Sequence, residues 1–317
     1  MVLLYIGCDN MKNFFKDKSI LHFIIGALVI GYAFFGTDFI KNVKEDTKSA
    51  TASVASSEKM DVNSTLSVTF IDVGQADSIL ITNNNHNMLI DAGNNEDGPL
   101  LVSYLKDKEI TSFDYVVATH PHEDHIGGMD DIINNFDIDT FYMTDAKTTT
   151  KTFLDVLNSL EDKNLSYMVP QANETFKLGD IDLKVLYSSS SCSNNLNMCS
   201  IVIRLDFKDT SFLFMGDAPS EVENKLLDKN IDADVLKVGH HGSTYSTSNK
   251  FLEKVSPSYA VISVGANNSY NHPGATTLNK LKNMGVDILR TDKKGSITFK
   301  SDGNKLDISY EKTNTNG

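Results

Sequence analysis

DYVVATHPHEDHIGG, residues 114–128, is the stretch on which the reading of this chain turns. An apolar run ends at Ala118, and His120, His122, Glu123, Asp124 and His125 follow within eight residues of it. A solvated polar loop gives no reason for such a concentration of ligand-capable groups. Borderline divalent cations such as zinc take neutral imidazole nitrogens and carboxylate oxygens. The spacing His-x-His-x-Asp-His supplies two pairs of donors, enough for one or two ions. Gly127 and Gly128 then permit a tight turn that brings backbone close to the site.

Working outward, the chain has eight histidines, and all except His22 and His86 lie in this cluster or in two later turn regions. His240 and His241 fall in VLKVGHHGSTYS (235–246), where another apolar strand ends, and His272 falls in SYNHPGATT (269–277), before an expected helix. Asp217 occupies FLFMGDAPSE (212–221), at a third strand end. Alone, Asp217 reads equally as a helix N-cap, the histidine pair as an interfacial pair, and His272 as a loop residue. Together they are what a site assembled at one edge of a sheet requires.

The surrounding pattern mixes strands and helices. SVTFIDV (67–73), SILIT (78–82), NMLIDA (87–92) and DYVVATH (114–120) read as short strands, with a helix around Leu100–Lys108. Later strands are expected at Leu183–Tyr187, Ser200–Phe207, Ser211–Met215, Asp234–Val238 and Ala260–Val264. Helices are expected near Thr152–Glu161, Ser220–Asp228 and Thr276–Asn283. No long internal repeat is visible. An α/β architecture with two sheets layered between helices accommodates this order, and pattern alone does not choose it over a doubly wound sheet.

The apolar run Ile20–Ile40 matches the roughly 20 residues that a bilayer core demands and reads as one transmembrane anchor. Lys12, Lys16 and Lys18 precede it, which orients residues 1–19 toward the cytoplasm and the rest of the chain outward. Small-residue triplets such as Ala50–Ala52 lie too far beyond the run for a signal-peptidase site, so an uncleaved anchor is expected. Residues 41–64 have the composition of a flexible linker, residues 65–312 form the folded domain, and 313–317 a disordered tail. The net charge is −13, and residues 1–64 contribute none of it because their seven Lys offset seven acidic residues. An acidic domain whose only arginines are Arg204 and Arg290 carries no broad basic stripe for nucleic acid. Cys192 and Cys199 bracket a short loop. They read either as a disulfide staple in an oxidising compartment or as two reduced small side chains.

HPHEDHIGG, the isolated MGD aspartate and VGHHGS resemble the metallo-β-lactamase superfamily. FIDVGQADSILI (70–81), LKVGHHGSTYSTS (236–248) and SYNHPGATTL (269–278) resemble, within it, the hydrolase domain of the ComEC family of DNA-uptake proteins. The resemblance runs from about Leu66 to Tyr310. It implies a four-layer αββα sandwich, here preceded by one transmembrane helix. It further implies that His120 and His122 bind one ion, that Asp124 and His125 bind a second, and that Asp217 bridges them. His241 would complete the second site, with His240 close by to contact substrate. Asp91 in LIDAG would orient a ligand histidine, and Asn197, Ser200 and His272 would line the pocket.

One departure matters. Typical two-metal members carry a further histidine between the cluster and the bridging aspartate, and this chain has none from Ile126 to Gly239. NMCSIVIRL (197–205) stands in its place, so the first ion has fewer protein ligands and manganese competes with zinc as the resident metal. The implied chemistry is hydrolysis of a phosphodiester by metal-bound water, with Asp124 or Asp217 taking the proton and His240 or His272 stabilising charge. Single-stranded DNA and cell-wall polymers are the candidate substrates. The competing readings are a cell-wall phosphocholine or teichoic-acid esterase and a non-catalytic exported module that keeps metal for structure.

Overall fold

Period-two burial builds both sheets. In β1 (Leu66–Phe70), Leu66, Val68 and Phe70 pack on one face. In β2 (Ile79–Asn83) and β3 (His86–Ile90), Ile79, Ile81, Met88 and Ile90 join that face, while Leu80 and Leu89 turn to the other. Asn83 pairs with His86, so Asn84 and Asn85 close a two-residue hairpin. Asn84 sits at φ 57°, a conformation that asparagine tolerates better than most residues. The computed structural model describes residues 65–190, 192 and 195–311.

After β3 the strands run parallel, separated by helices. Helix α1 (Gly98–Asp107) leads to β4 (Ser112–Ala118); α2 (Glu123–Ile126) and α3 (Met129–Asn135) lead to β5 (Asp137–Met143); α4 (Lys151–Asp162) leads to β6 (Tyr167–Met168). The second half repeats this plan. Strands β7 (Thr175–Leu178), β8 (Ile181–Tyr187), β9 (Val202–Phe207) and β10 (Thr210–Phe214) are antiparallel. Then α5 (Ser220–Asn224), β11 (Val235–Lys237), α6 (Asn249–Val255), β12 (Tyr259–Ile262), α7 (Ala275–Asn283) and β13 (Asp287–Arg290) form a parallel series. A short helix, α8 (Thr291–Lys294), precedes β14 (Ile297–Ser301) and β15 (Leu306–Tyr310), which return to the first sheet. The orders are β15-β14-β1-β2-β3-β4-β5-β6 and β13-β12-β11-β10-β9-β8-β7.

Three apolar layers define the sandwich. Phe70, Phe212, Phe214 and Phe299 meet between the sheets, with Phe70 and Phe299 ring centroids 6.0 Å apart and Phe212 and Phe299 5.9 Å apart. Leu101, Ile132 and Val156 cover the first sheet's outer face from α1, α3 and α4. Val222, Leu252 and Leu281 cover the second from α5, α6 and α7. Helices therefore flank two facing sheets, as the layered alternative requires, and the singly layered doubly wound sheet is excluded.

Two sequence expectations need correction. The helix expected over Ser220–Asp228 stops at Asn224, because the next bonds contract to i→i−3, Lys225 to Val222 and Leu226 to Glu223. The strand expected to reach Val264 stops at Ile262, where the Thr291 hydroxyl takes over the Val264 backbone N–H and Ser263 O is left to face a histidine. Strands β5, β6, β7, β13, β14 and β15 lie outside the strands that the sequence pattern predicts. Among the described residues no helix is long and apolar enough to cross a membrane. The apolar run Ile20–Ile40, its flanks 1–19 and 41–64, and the tail 313–317 lie outside the described residues.

Because Phe299 is fully buried where the sheets meet, Phe299→Ala should destabilise the fold by about 3–5 kcal/mol. A urea titration of the full chain should show the lowered midpoint, and a loss under 1 kcal/mol would contradict the packing described.

Candidate metal centre

The strand ends converge at one edge of the sandwich. β4 delivers Thr119 and His120, and α2 carries Asp124 and His125. β10 ends just before Asp217, and β11 runs into Gly239–Gly242, which holds His240 and His241. Both histidines adopt positive φ, 51° and 50°. Non-glycine residues occupy that region at a cost, which is borne most often where a site needs it. The bend is held by the His240 N–H donating to Gly216 O at 3.1 Å, which ties the pair to the Asp217 loop.

Two donor sets form and share Asp217. One comprises Asp124, His125, Asp217 and His241, the other His120, His122 and Asp217; within each set the donor atoms lie within 4.8 Å of one another. His125 Nε2 is 3.2 Å and His241 Nε2 3.5 Å from Asp217 Oδ1, and His241 Nε2 is 3.3 Å from Asp124 Oδ2. His120 Nε2 is 4.0 Å from the other oxygen, Asp217 Oδ2. His125 Nε2, His241 Nε2 and Asp217 Oδ1 are buried without a hydrogen-bond partner. Such atoms are costly unless something satisfies them, and a divalent cation does so for all three at once.

Behind the donors stands a layer that aims them. Asp91 Oδ2 lies 2.7 Å from His125 Nδ1, and Thr119 donates to Asp91 through its backbone N–H at 2.8 Å and its hydroxyl at 2.7 Å. This is the carboxylate–imidazole arrangement that fixes the ring of a metal-binding histidine. Ser200 Oγ accepts the Asp217 N–H at 3.1 Å and approaches His120 Nδ1 at 3.5 Å. The Asn197 side-chain amide is 3.4 Å from the His240 ring. Asn197 lies in the loop closed by a Cys192–Cys199 disulfide, so of the two readings left open for these cysteines the staple is the one realised.

The electrostatics oppose burial with charge. Burial drives His120 well below its ordinary value and lowers His122, His240 and His272, which favours neutral rings. Burial also disfavours a charged His125, but Asp217, Asp91 and Asp124 outweigh it and hold the ring well above the usual range. His241 is raised in the same way, chiefly by Asp217. Against their own desolvation, Asp124 and Asp217 are held low, in both cases first by His125. A cation entering this set replaces protons as the counter-charge.

All the sequence-predicted residues come to this edge. His240 and His272 stand apart from the donor sets and line an open cleft of about 380 Å³ together with His122, Asp124, Asp217 and His241. Two residues escaped the sequence reading. Lys237 is wholly buried and pairs with Asp77 at 2.9 Å. Asp77 in turn lies 3.6 Å from His241 Nδ1 and 4.0 Å from His125 Nδ1. A lysine inside the apolar strand VLKVG was the available signal, since charge in such a position demands a partner.

Residues 71–266 match the metallo-β-lactamase superfamily, to which the chain belongs. Fold and donor sets together make it a metal-dependent hydrolase of that superfamily, with divalent metal ions implied. It is 28% identical over 253 residues to ComE operon protein 3 of Bacillus subtilis, a match covering 74% of this chain and 33% of that protein. It is 29% identical over 244 residues to competence protein ComA of Neisseria gonorrhoeae, covering 73% of this chain and 32% of that one. The chain thus spans about a third of the length of the curated relatives it matches. The metallo-β-lactamase fold protein YhfI from Bacillus subtilis has a similar fold, with a TM-score of 0.51 at 12% identity, over 74% of this chain and 100% of YhfI.

Lys237→Met strands the buried Asp77 and should cost about 3–5 kcal/mol, whereas Asp77→Asn with Lys237→Met together should cost less than the lysine change alone. Urea unfolding of the three proteins measures this. A double variant less stable than Lys237→Met would refute the pairing.

Proposed function

We propose that this chain is a membrane-anchored, metal-dependent phosphodiesterase of nuclease type, with its site facing outward from the cell. The observation that carries this reading is Asp217, whose two oxygens face separate donor sets on the floor of an open cleft. His120, His122 and Asp217 would hold one ion, and Asp124, His125, Asp217 and His241 the other, zinc or manganese. A divalent cation bound there supplies Lewis acidity toward phosphoryl oxygens and brings the pKa of water toward neutrality. Asp124, whose side chain is 28% exposed, is the carboxylate best placed to accept a proton at the cleft surface. Asp91 and Ser200 keep His125 and Asp217 oriented. His240 and His272 face the substrate space with neutral rings, each able to donate one N–H to an oxygen that gains charge.

One relative is competence protein ComA of Neisseria gonorrhoeae, and another, from Haemophilus influenzae, is Recombination protein 2, which supports nucleic acid as substrate. The Cys192–Cys199 disulfide supports an oxidising compartment, in keeping with the anchor read at Ile20–Ile40. A cell-wall phosphocholine or teichoic-acid esterase is the second reading, favoured by the acidic domain. The open cleft speaks against a purely structural metal.

His122→Ala and Asp217→Asn should each lose bound metal and hydrolysis of single-stranded DNA together. Metal analysis of the purified chain, followed by chelation and add-back of zinc or manganese, checks this; full activity in either variant would refute the site. His272→Ala should retain its metal while turnover falls about a hundredfold, the size expected for a donor to developing charge.

A further inference from the structure

We infer that Tyr270 is a stacking subsite for a nucleobase at the mouth of the metal cleft, which makes unpaired single strands the preferred substrate; this rests on the phosphodiesterase reading above. Tyr270 lines the same cleft as Asp124 and Asp217, yet 65% of it is exposed. Its ring lies 5.9 Å from that of His272 at a shallow 31°, and His272 meets His240 edge-on at 5.5 Å. His240 Nε2 is 3.6 Å from Asp217 Oδ2. An aromatic row therefore leads from solvent to the shared carboxylate, at spacings suited to ring contacts.

The loop that presents Tyr270 is braced. The Asn268 side chain donates to Gly265 O at 2.9 Å and to His272 O at 2.7 Å, and accepts the His272 N–H at 3.0 Å. Gln75, from the β1–β2 turn, accepts the Gly265 N–H at 3.1 Å. Little order remains to be imposed when a ligand arrives, so the ring's contact area is available for binding.

Charge excludes the usual alternative. Among the described residues no Lys or Arg lines the cleft, while Glu123, Asp124 and Asp217 do. A polyanion cannot be held here by counterion release to basic side chains, which leaves the metal ions for the phosphate and Tyr270 for the flat face of a base. Base–aromatic stacking is sequence-tolerant and needs an unstacked base. In a duplex that face is covered by its neighbours and is freed only by flipping. A quaternary ammonium such as choline also seeks aromatic faces, but its recognition uses a cage of several rings, and among the described residues Tyr270 is the cleft's single Phe, Tyr or Trp.

The test uses the metal-loaded full chain, a short oligothymidylate, an abasic oligomer of equal length, and a phosphocholine ester. Fluorescence anisotropy gives affinity, and cleavage gives KM. The oligothymidylate should bind about tenfold more tightly than the abasic oligomer, the scale of one base–aromatic stack. Tyr270→Ala should bring that ratio close to one, and Tyr270→Trp should restore it. Equal affinities in the unaltered chain, an undiminished ratio in Tyr270→Ala, or a Tyr270-dependent preference for the phosphocholine ester would each overturn the subsite. A chain that cleaves neither oligomer removes the nuclease reading instead, while the affinity ratio still decides the role of Tyr270.

Discussion

A single carboxylate, Asp217, is the point at which the two halves of the molecule are obliged to agree. It leaves the second sheet after β10, and one oxygen meets His125 from the first half and His241 from the second. Its other oxygen faces His120 and His240. Buried carboxylates and imidazoles repel or attract too strongly to be left to chance in a medium of low polarisability. Asp91 therefore partners the His125 ring, Ser263 O the His241 ring and the Asn197 amide the His240 ring.

That requirement propagates outward through the fold. Asp91 holds His125 and is itself held by Thr119, whose carbonyl accepts the Ile201 N–H from the second half. Asp77, on a turn of the first sheet, pairs with Lys237 on β11 of the second. These buried polar contacts cross the seam that the four phenylalanines close by apolar packing. Breaking the seam would therefore separate the donor sets as well as expose the core.

The cleft above this floor differs in character from it. Its walls carry histidines, of which His240 and His272 are held toward the neutral form, together with acidic groups and an exposed tyrosine, and among the described residues no Lys or Arg. On the proposed phosphodiesterase reading, an anionic substrate would meet little attraction from the protein alone, and cations held at the metal centre would be the principal source of positive potential. Substrate affinity and chemistry would then depend on the same ions.

The amino-acid order by itself determined the metal chemistry and most of the strands that carry it, because crowded histidines after an apolar run are a local signal. His120, His122, Asp124 and His125 are readable in this way, as is β3 before Asp91, whereas Asp217 and His241 are ambiguous by themselves and take their roles only from the resemblance to the superfamily. The choice of two facing sheets over one was beyond local pattern, since the core-facing residues of β1 and β10 look alike whichever layer they cover. The twofold plan of hairpins followed by crossovers left no repeat in the sequence, for many side chains fill the same core positions. Tertiary structure alone decided that Asp77 and Lys237, 160 positions apart, form one pair. It decided too that Tyr270 stands beside the donors and not on an unrelated loop. Such proximity arises from the convergence of strand ends across the seam, a long-range closure that no window of neighbouring residues encodes.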